Sequence, residues 1–142
     1  MIKQVIVGCL ILYIGICKSL MAANIEVLLK GFENNQGQAI IVLHGNEESF
    51  PDNVDKAITK ASARITNSTA HTVFNNIEPG TYAIAAIHDQ NNNGRLDKSF
   101  FGIPEEGVGT SGESKNNSGP PKFKNAKFTL NDDKKIVIDL DY

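Results

Sequence analysis

From Asn24 to Phe32 (NIEVLLKGF) apolar and polar residues alternate, with Ile25, Val27 and Leu29 on one face and Glu26 and Lys30 on the other. That two-residue period predicts a half-buried β-strand. Asn34-Asn35-Gln36-Gly37 has turn chemistry, and Ala39–Leu43 (AIIVL) is a continuous apolar run. The two segments are therefore predicted to pair as a hairpin. Residues 50–63 contain Pro51 and several small residues, and admit either a short helix over VDKAITKA or a crossover loop. Thr69–Phe74 and Thr81–His88 read as strands. Lys124–Leu130 alternates, placing Ala126, Phe128 and Leu130 inward; after a turn at Asn131-Asp132-Asp133, Ile136, Ile138 and Leu140 face the core. Six or seven strands with almost no helical period indicate an all-β, antiparallel sandwich of about seven strands. Residues 89–123 form one long connection rich in Asn, Gly, Ser and Lys. A loop of that length in so small a domain is either functional or disordered.

The first 23 residues stand apart from this pattern. Lys3 gives a positive start, Val5–Cys17 is nearly all apolar, and Ser19-Leu20-Met21-Ala22-Ala23 supplies small residues near a cut. This is the layout of a secretory signal peptide at 1–23, cleaved after Ala22 or Ala23, with a single sandwich domain at 24–142. Both cysteines, Cys9 and Cys17, fall inside the signal, so the exported chain has no disulfide, thiolate ligand or thiol nucleophile. Removing Lys3 and Lys18 from 14 basic residues leaves 12 against 16 acidic ones, a formal charge of -4. A mildly acidic chain with no basic patch is a poor partner for nucleic acid or, once the signal is gone, for an anionic membrane.

Two motifs carry the rest. Ile77-Glu78-Pro79-Gly80-Thr81-Tyr82 makes a tight turn into a strand, and Tyr82 plugs the end of the sandwich while its hydroxyl seeks a backbone partner. The segment resembles the turn-and-strand signature of prealbumin-like sandwich domains, which implies an Ig-like, prealbumin-like fold and a structural role for the tyrosine. His88-Asp89-Gln90-Asn91-Asn92-Asn93-Gly94-Arg95-Leu96-Asp97 follows directly. Oxygen side chains at Asp89, Asn91, Asn93 and Asp97 alternate around a loop that Gly94 can bend, and the Arg95 carbonyl can add a ligand. That pattern suits Ca²⁺, which takes six to eight oxygens. The acid expected at the twelfth position is Phe100, so Glu105, Glu106 or water would complete the shell, and binding would be weak, on the order of 10⁻⁴ to 10⁻³ M. The alternative is a metal-free loop held by side-chain hydrogen bonds.

The next residues, Phe100-Phe101-Gly102-Ile103-Pro104, are apolar, and one or both Phe are expected to pin the loop to the sandwich edge. Glu105 and Glu106 read as solvated loop acids rather than a catalytic pair. His44 and His88 each end a strand, and a Zn²⁺ or Cu²⁺ site with Asp89 would require them to meet. No nucleophile elbow, HExxH or phosphate-binding glycine loop occurs. No enzyme activity is expected, and Ca²⁺ is the one cofactor anticipated.

The chain as a whole resembles the secreted bacterial family called domain of unknown function 2141. The resemblance rests on Gly37-Gln38, Ser49-Phe50-Pro51, Pro79-Gly80-Thr81-Tyr82-Ala83, the run from His88-Asp89 through Asn91, Asn93, Gly94, Leu96 and Asp97, Phe101-Gly102-Ile103-Pro104, Glu106-Gly107 and Gly119-Pro120-Pro121 with Phe123. It implies a periplasmic or secreted β-sandwich and no established activity. The reading is an exported binding module with an unknown protein or glycan partner. A purely structural docking module without metal and a metal-dependent enzyme are the alternatives.

Overall fold

The computed structural model describes residues 21–112 and 119–142. The expected signal peptide lies outside the described residues up to position 20, and among the described residues no helix is long and apolar enough to cross a membrane. Among the described residues, eight strands form two packed sheets. β1 (Ala23–Lys30) is central in a three-stranded sheet, flanked by β4 (Thr69–Ile77) and β8 (Lys134–Asp139). The second sheet runs β3 (Thr59–Ala63), β2 (Gln38–His44), β5 (Gly80–Asp89) and β6 (Val108–Thr110), with β7 (Phe128–Leu130) also pairing β5. One pairing departs from the antiparallel rule: β8 runs parallel to β1, with Val27 opposite Ile136 and Leu29 opposite Ile138.

The alternation in β1 does what it predicts, since Ile25, Val27 and Leu29 are fully buried. They meet Ala39, Ile41, Leu43, Ile84 and Ala86 from the other sheet in one core. Ile138 and Leu140 are buried in the same core, and Ile136 packs against it. The Tyr82 hydroxyl donates to the Glu78 carbonyl at 2.7 Å, which closes the turn that launches β5.

The expected hairpin between β1 and β2 does not form, because the two strands lie in different sheets. β2 is buried along both faces, so it could not border a sheet with one face in water. It sits instead between β3 and β5. The link from Gly31 to Gly37 crosses the sandwich, with both glycines at positive φ and Phe32 filling the crossing.

Residues 50–63 resolve into a 3₁₀ turn at Val54–Lys56 followed by β3. The alternating segment after Lys122 is only half strand: Phe123–Ala126 forms a single helical turn before β7. The Ser111 hydroxyl donates to the Ala126 carbonyl at 2.6 Å and accepts from the Ile84 N–H, which draws that turn onto the sheet. Ala126 thereby joins Phe50 and Ala83 in a small cluster on the outer face of β5. The long connection is also interrupted: Val108–Thr110 returns to pair with Ala85–Ile87. Gly109 makes this possible, since a Cβ there would press on the Ile138 side chain and the Asp139 carbonyl.

Candidate functional site

β5 ends at Asp89, and the loop leaves from its outer face. Asp89 pairs in register with Gln38 of β2, so the two side chains are cross-strand neighbours. The Gln38 amide donates to Asp89 Oδ2 at 2.8 Å. The Gly94 N–H donates to the same oxygen at 2.9 Å, and the Asn93 N–H to Oδ1 at 3.0 Å. Asp89 is fully buried, and its charge is met by three N–H donors aimed at the carboxylate. Gly37 must be glycine beside it: φ is +70°, and a Cβ would collide with the Asp89 carbonyl oxygen.

A second buried carboxylate closes the loop. Glu106 Oε1 accepts the Gln90 N–H at 2.9 Å and Oε2 accepts the Asp97 N–H at 3.1 Å. One side chain thus holds the start and the middle of the loop to its end. Glu106 is only 6% exposed. The expectation of two solvated acids therefore holds for Glu105, which is exposed, and fails for Glu106. Opposed backbone donors outweigh hydration there.

Of the four oxygen-bearing residues of the predicted cage, Asn91, Asn93 and Asp97 are joined by side-chain hydrogen bonds, and Asp89 is linked to them through the Asn93 N–H. Asn91 Nδ2 donates to Asp97 Oδ2 at 2.6 Å, and Asn93 Nδ2 reaches both Asp97 oxygens at 2.9 and 3.0 Å. The amide oxygens turn the other way: Asn91 Oδ1 accepts the Asn93 N–H and Asn93 Oδ1 accepts the Arg95 N–H. These are local side-chain turns of the kind Asn favours. Arg95 contributes its N–H, and its side chain is exposed. Among the described residues, no three His, Cys, Asp or Glu side chains gather into a metal-binding group. A hard cation here would therefore need the amide oxygens, each of which keeps a second lone pair. Turning the two amides would aim Oδ1 at the Asp97 side but set each Nδ2 against the Asn93 or Arg95 N–H, so the oxygen types suit Ca²⁺ only if those two turns are given up.

Beyond the cage the chain makes a small hairpin. Glu105 N donates to Asp97 O, Ser99 N to Ile103 O, and Gly102 N, at positive φ, to Ser99 O. Phe100 and Phe101 occupy its apex. They are 98% and 84% exposed, and Ile103 is 63% exposed. Their rings touch only edge to face, with centroids 5.5 Å apart. The expectation that they pin the loop to the sandwich is overturned. The two carboxylates anchor the base, so the aromatic pair is not needed as an anchor.

The histidines do not meet. His44 pairs with Ala83 on the outer face of β2, and His88 pairs with Ala39 on the inner face of β5. Five residues of strand, roughly 17 Å, separate those positions. His44 Nδ1 lies 3.1 Å from Ser49 Oγ, Phe50 packs edge-on, and Nε2 is buried without a hydrogen bond. Burial lowers the His44 pKa, partly opposed by the Pro51 backbone and the Asp52 charge. His88 lies between the Gln36 carbonyl and the Tyr142 hydroxyl, at 2.8 and 2.6 Å. The His44–His88–Asp89 metal site has no geometric basis, because the strand period puts the two rings on opposite faces.

The sequence reading missed Gln38 as a partner of Asp89, and it named Glu106 only as one of several groups that could fold back to the loop. Gln38 faces Asp89 only through the β2–β5 register. Glu106 is its counterpart across β6: the pairing of Ile87 with Val108, extended two residues, sets Asp89 opposite Glu106. Reading Val108-Gly109-Thr110 as a strand would have exposed that relation.

A family model for uncharacterized proteins conserved in bacteria, DUF2141, matches residues 27–138. No curated protein and no solved structure matches the chain.

Proposed function

The chain belongs to the bacterial DUF2141 family, and we propose that it is an exported, non-catalytic binding module that engages a protein or glycan through residues 90–107. One observation carries the reading. A loop locked at its base by two buried carboxylates holds two phenylalanines almost wholly in water. Burying a Phe side chain is worth about 1.5–3 kcal/mol, and the fold forgoes that gain twice at adjacent residues. Exposed apolar clusters on a rigid support mark contact sites. Export, to the periplasm or beyond, is supported by the amino-terminal pattern of charge, apolar run and small residues.

The test is recovery of a bound molecule. The tagged protein is isolated from the periplasmic and culture fractions of its own bacterium, and Phe100→Ser/Phe101→Ser is isolated in parallel. The wild type should retain a protein or glycan that the variant loses. Identical recoveries from the two, or a protein found only in the cytoplasm, would count against the reading.

A second reading adds Ca²⁺ to the same loop, favoured by the hydrogen-bonded grouping of Asn91, Asn93 and Asp97 next to Asp89. An ion bound by the native state alone raises its stability. At about ten times a Kd in the millimolar range the gain is about 1.4 kcal/mol. A melting temperature that is higher in Ca²⁺ than in EDTA, with the difference abolished by Asp97→Ala, supports it. Equal curves in the two conditions reject it.

A further inference from the structure

We propose that Asn93-Gly94 is a self-modifying site, at which the folded loop converts the Asn93 amide into a carboxylate through a succinimide, with loss of ammonia. The site stands whatever the tip of the loop binds. Of the asparagines in the chain, only Asn93 precedes a glycine. The reaction joins the Gly94 nitrogen to the Asn93 side-chain carbonyl carbon, and a side chain on the following residue would crowd that approach. Both residues are exposed, and a Cβ at Gly94 would meet open space.

Three neighbours already touch the three reacting groups. The Gly94 N–H, whose proton must leave, donates to Asp89 Oδ2 at 2.9 Å. Asn93 Oδ1, where negative charge collects, accepts the Arg95 N–H at 3.0 Å. Asn93 Nδ2, the nitrogen that departs, lies 2.9 and 3.0 Å from the two Asp97 oxygens. The bond to Arg95 also folds the Asn93 side chain back over the Gly94 peptide, in the turn that Asn makes with its own backbone. A base within reach of the nucleophile and a backbone N–H at the oxyanion are the parts that acyl transfer requires.

The Gly94 nitrogen bonds to Asn93 Cγ while its proton passes to Asp89. The tetrahedral carbon then expels Nδ2. That nitrogen keeps the electron pair of the broken bond, takes up the proton held by Asp89 and leaves as ammonia. Water opens the ring at either carbonyl, breaking one C–N bond and returning a proton to the Gly94 nitrogen. Position 93 becomes an aspartate, or an isoaspartate with the chain rerouted through Cγ. Either product adds a negative charge beside Asp97 and removes the Nδ2 bonds to it. Asn91 is the internal control. Its Oδ1 accepts the Asn93 N–H and its Nδ2 donates to Asp97, but the residue after it is Asn92.

The purified protein is held at neutral pH, folded and in urea, and conversion at each asparagine is followed by peptide mass spectrometry. A positioned base is worth on the order of a hundredfold. Position 93 should therefore convert at least about tenfold faster in the folded chain than in the unfolded one, with Asn91 intact. Asp89→Asn keeps the shape of the side chain without its basicity, and should bring the folded rate down to the unfolded one. If that variant does not fold, the wild-type comparison between folded and urea-unfolded chain decides alone. Conversion at position 93 that is equal or slower in the folded protein overturns the proposal. So does conversion of Asn91 at the same rate, or a folded Asp89→Asn that converts as fast as the wild type.

Discussion

The base and the apex of one loop invert the usual rule for what is buried. At the base, Asp89 and Glu106 are charged and buried; at the apex, Phe100 and Phe101 are apolar and exposed. The base is explained by its donors. Asp89 receives three N–H groups and Glu106 two, so neither carboxylate is left unpaired after losing water. The apex has no such compensation within the chain. What separates the two places is therefore whether the fold itself satisfies the misplaced group. Where it does, the group is structural. Where it does not, the group is available to something outside. Departures from the burial rule gather where function does.

The sharpest way to break this comparison is to remove the base. Asp89→Ala takes the acceptor from the Gly94 N–H and the Gln38 amide, while the Asn93 N–H keeps Asn91 Oδ1. Each donor left unsatisfied costs about 1–3 kcal/mol, so a loss of about 2 kcal/mol or more is expected. In urea titration the midpoint should fall while the slope stays constant. A loss under about 1 kcal/mol would mean that water reaches the two donors, and the base would then be no more structural than the apex.

A smaller effect concerns a buried polar group that is only half satisfied. His44 has Ser49 on one ring nitrogen and nothing on the other, and burial lowers its pKa from 6.5. Above pH 6.5 the imidazole is neutral in both the folded and the unfolded chain. Below that pH the unfolded chain takes up a proton that the native site resists. Stability is therefore lost as pH falls from 6.5 toward the lowered native pKa. Unfolding free energies measured between pH 7.5 and 5 should decline more steeply for the wild type than for His44→Asn. Parallel lines would show that the ring titrates alike folded and unfolded.

These residues also mark how far the sequence could be read. The two-residue period found β1 and β8, because each has a wet face and a dry one; β5, covered on both faces, was found from the Pro79-Gly80 turn that launches it. It misplaced β2 as the partner of β1, because a run apolar on both faces carries no record of which sheet it joins. It missed β6 for the opposite reason: Val108-Gly109-Thr110 is too short and too small to show a period, and its glycine is demanded by neighbours thirty residues away. The side-chain-bonded loop was legible as spacing, since alternate Asn and Asp residues of a tight loop fall within reach of one another. The pairing of Gln38 with Asp89 was not, because the two meet through strand register, which is set by tertiary pairing. The exposure of Phe100 and Phe101 was unreadable for a plainer reason. An apolar pair in a loop looks the same whether it anchors the loop inward or is offered outward.

The smallest expected change is the most telling one about the apex. Phe100→Ser/Phe101→Ser removes two large side chains that touch little except each other. Exposed substitutions of this kind usually shift stability by less than about 0.5 kcal/mol. The melting temperature and urea midpoint of the double variant should match the wild type, and solubility should rise as the apolar area falls. A destabilisation of about 2 kcal/mol or more would reveal that the rings pack against the sandwich in solution. The contrast with Asp89→Ala would then collapse, since both ends of the loop would be holding the fold together. Matched stability, combined with loss of the retained partner, would assign the two ends different work. The carboxylates shape the loop, and the phenylalanines do what the loop is shaped for.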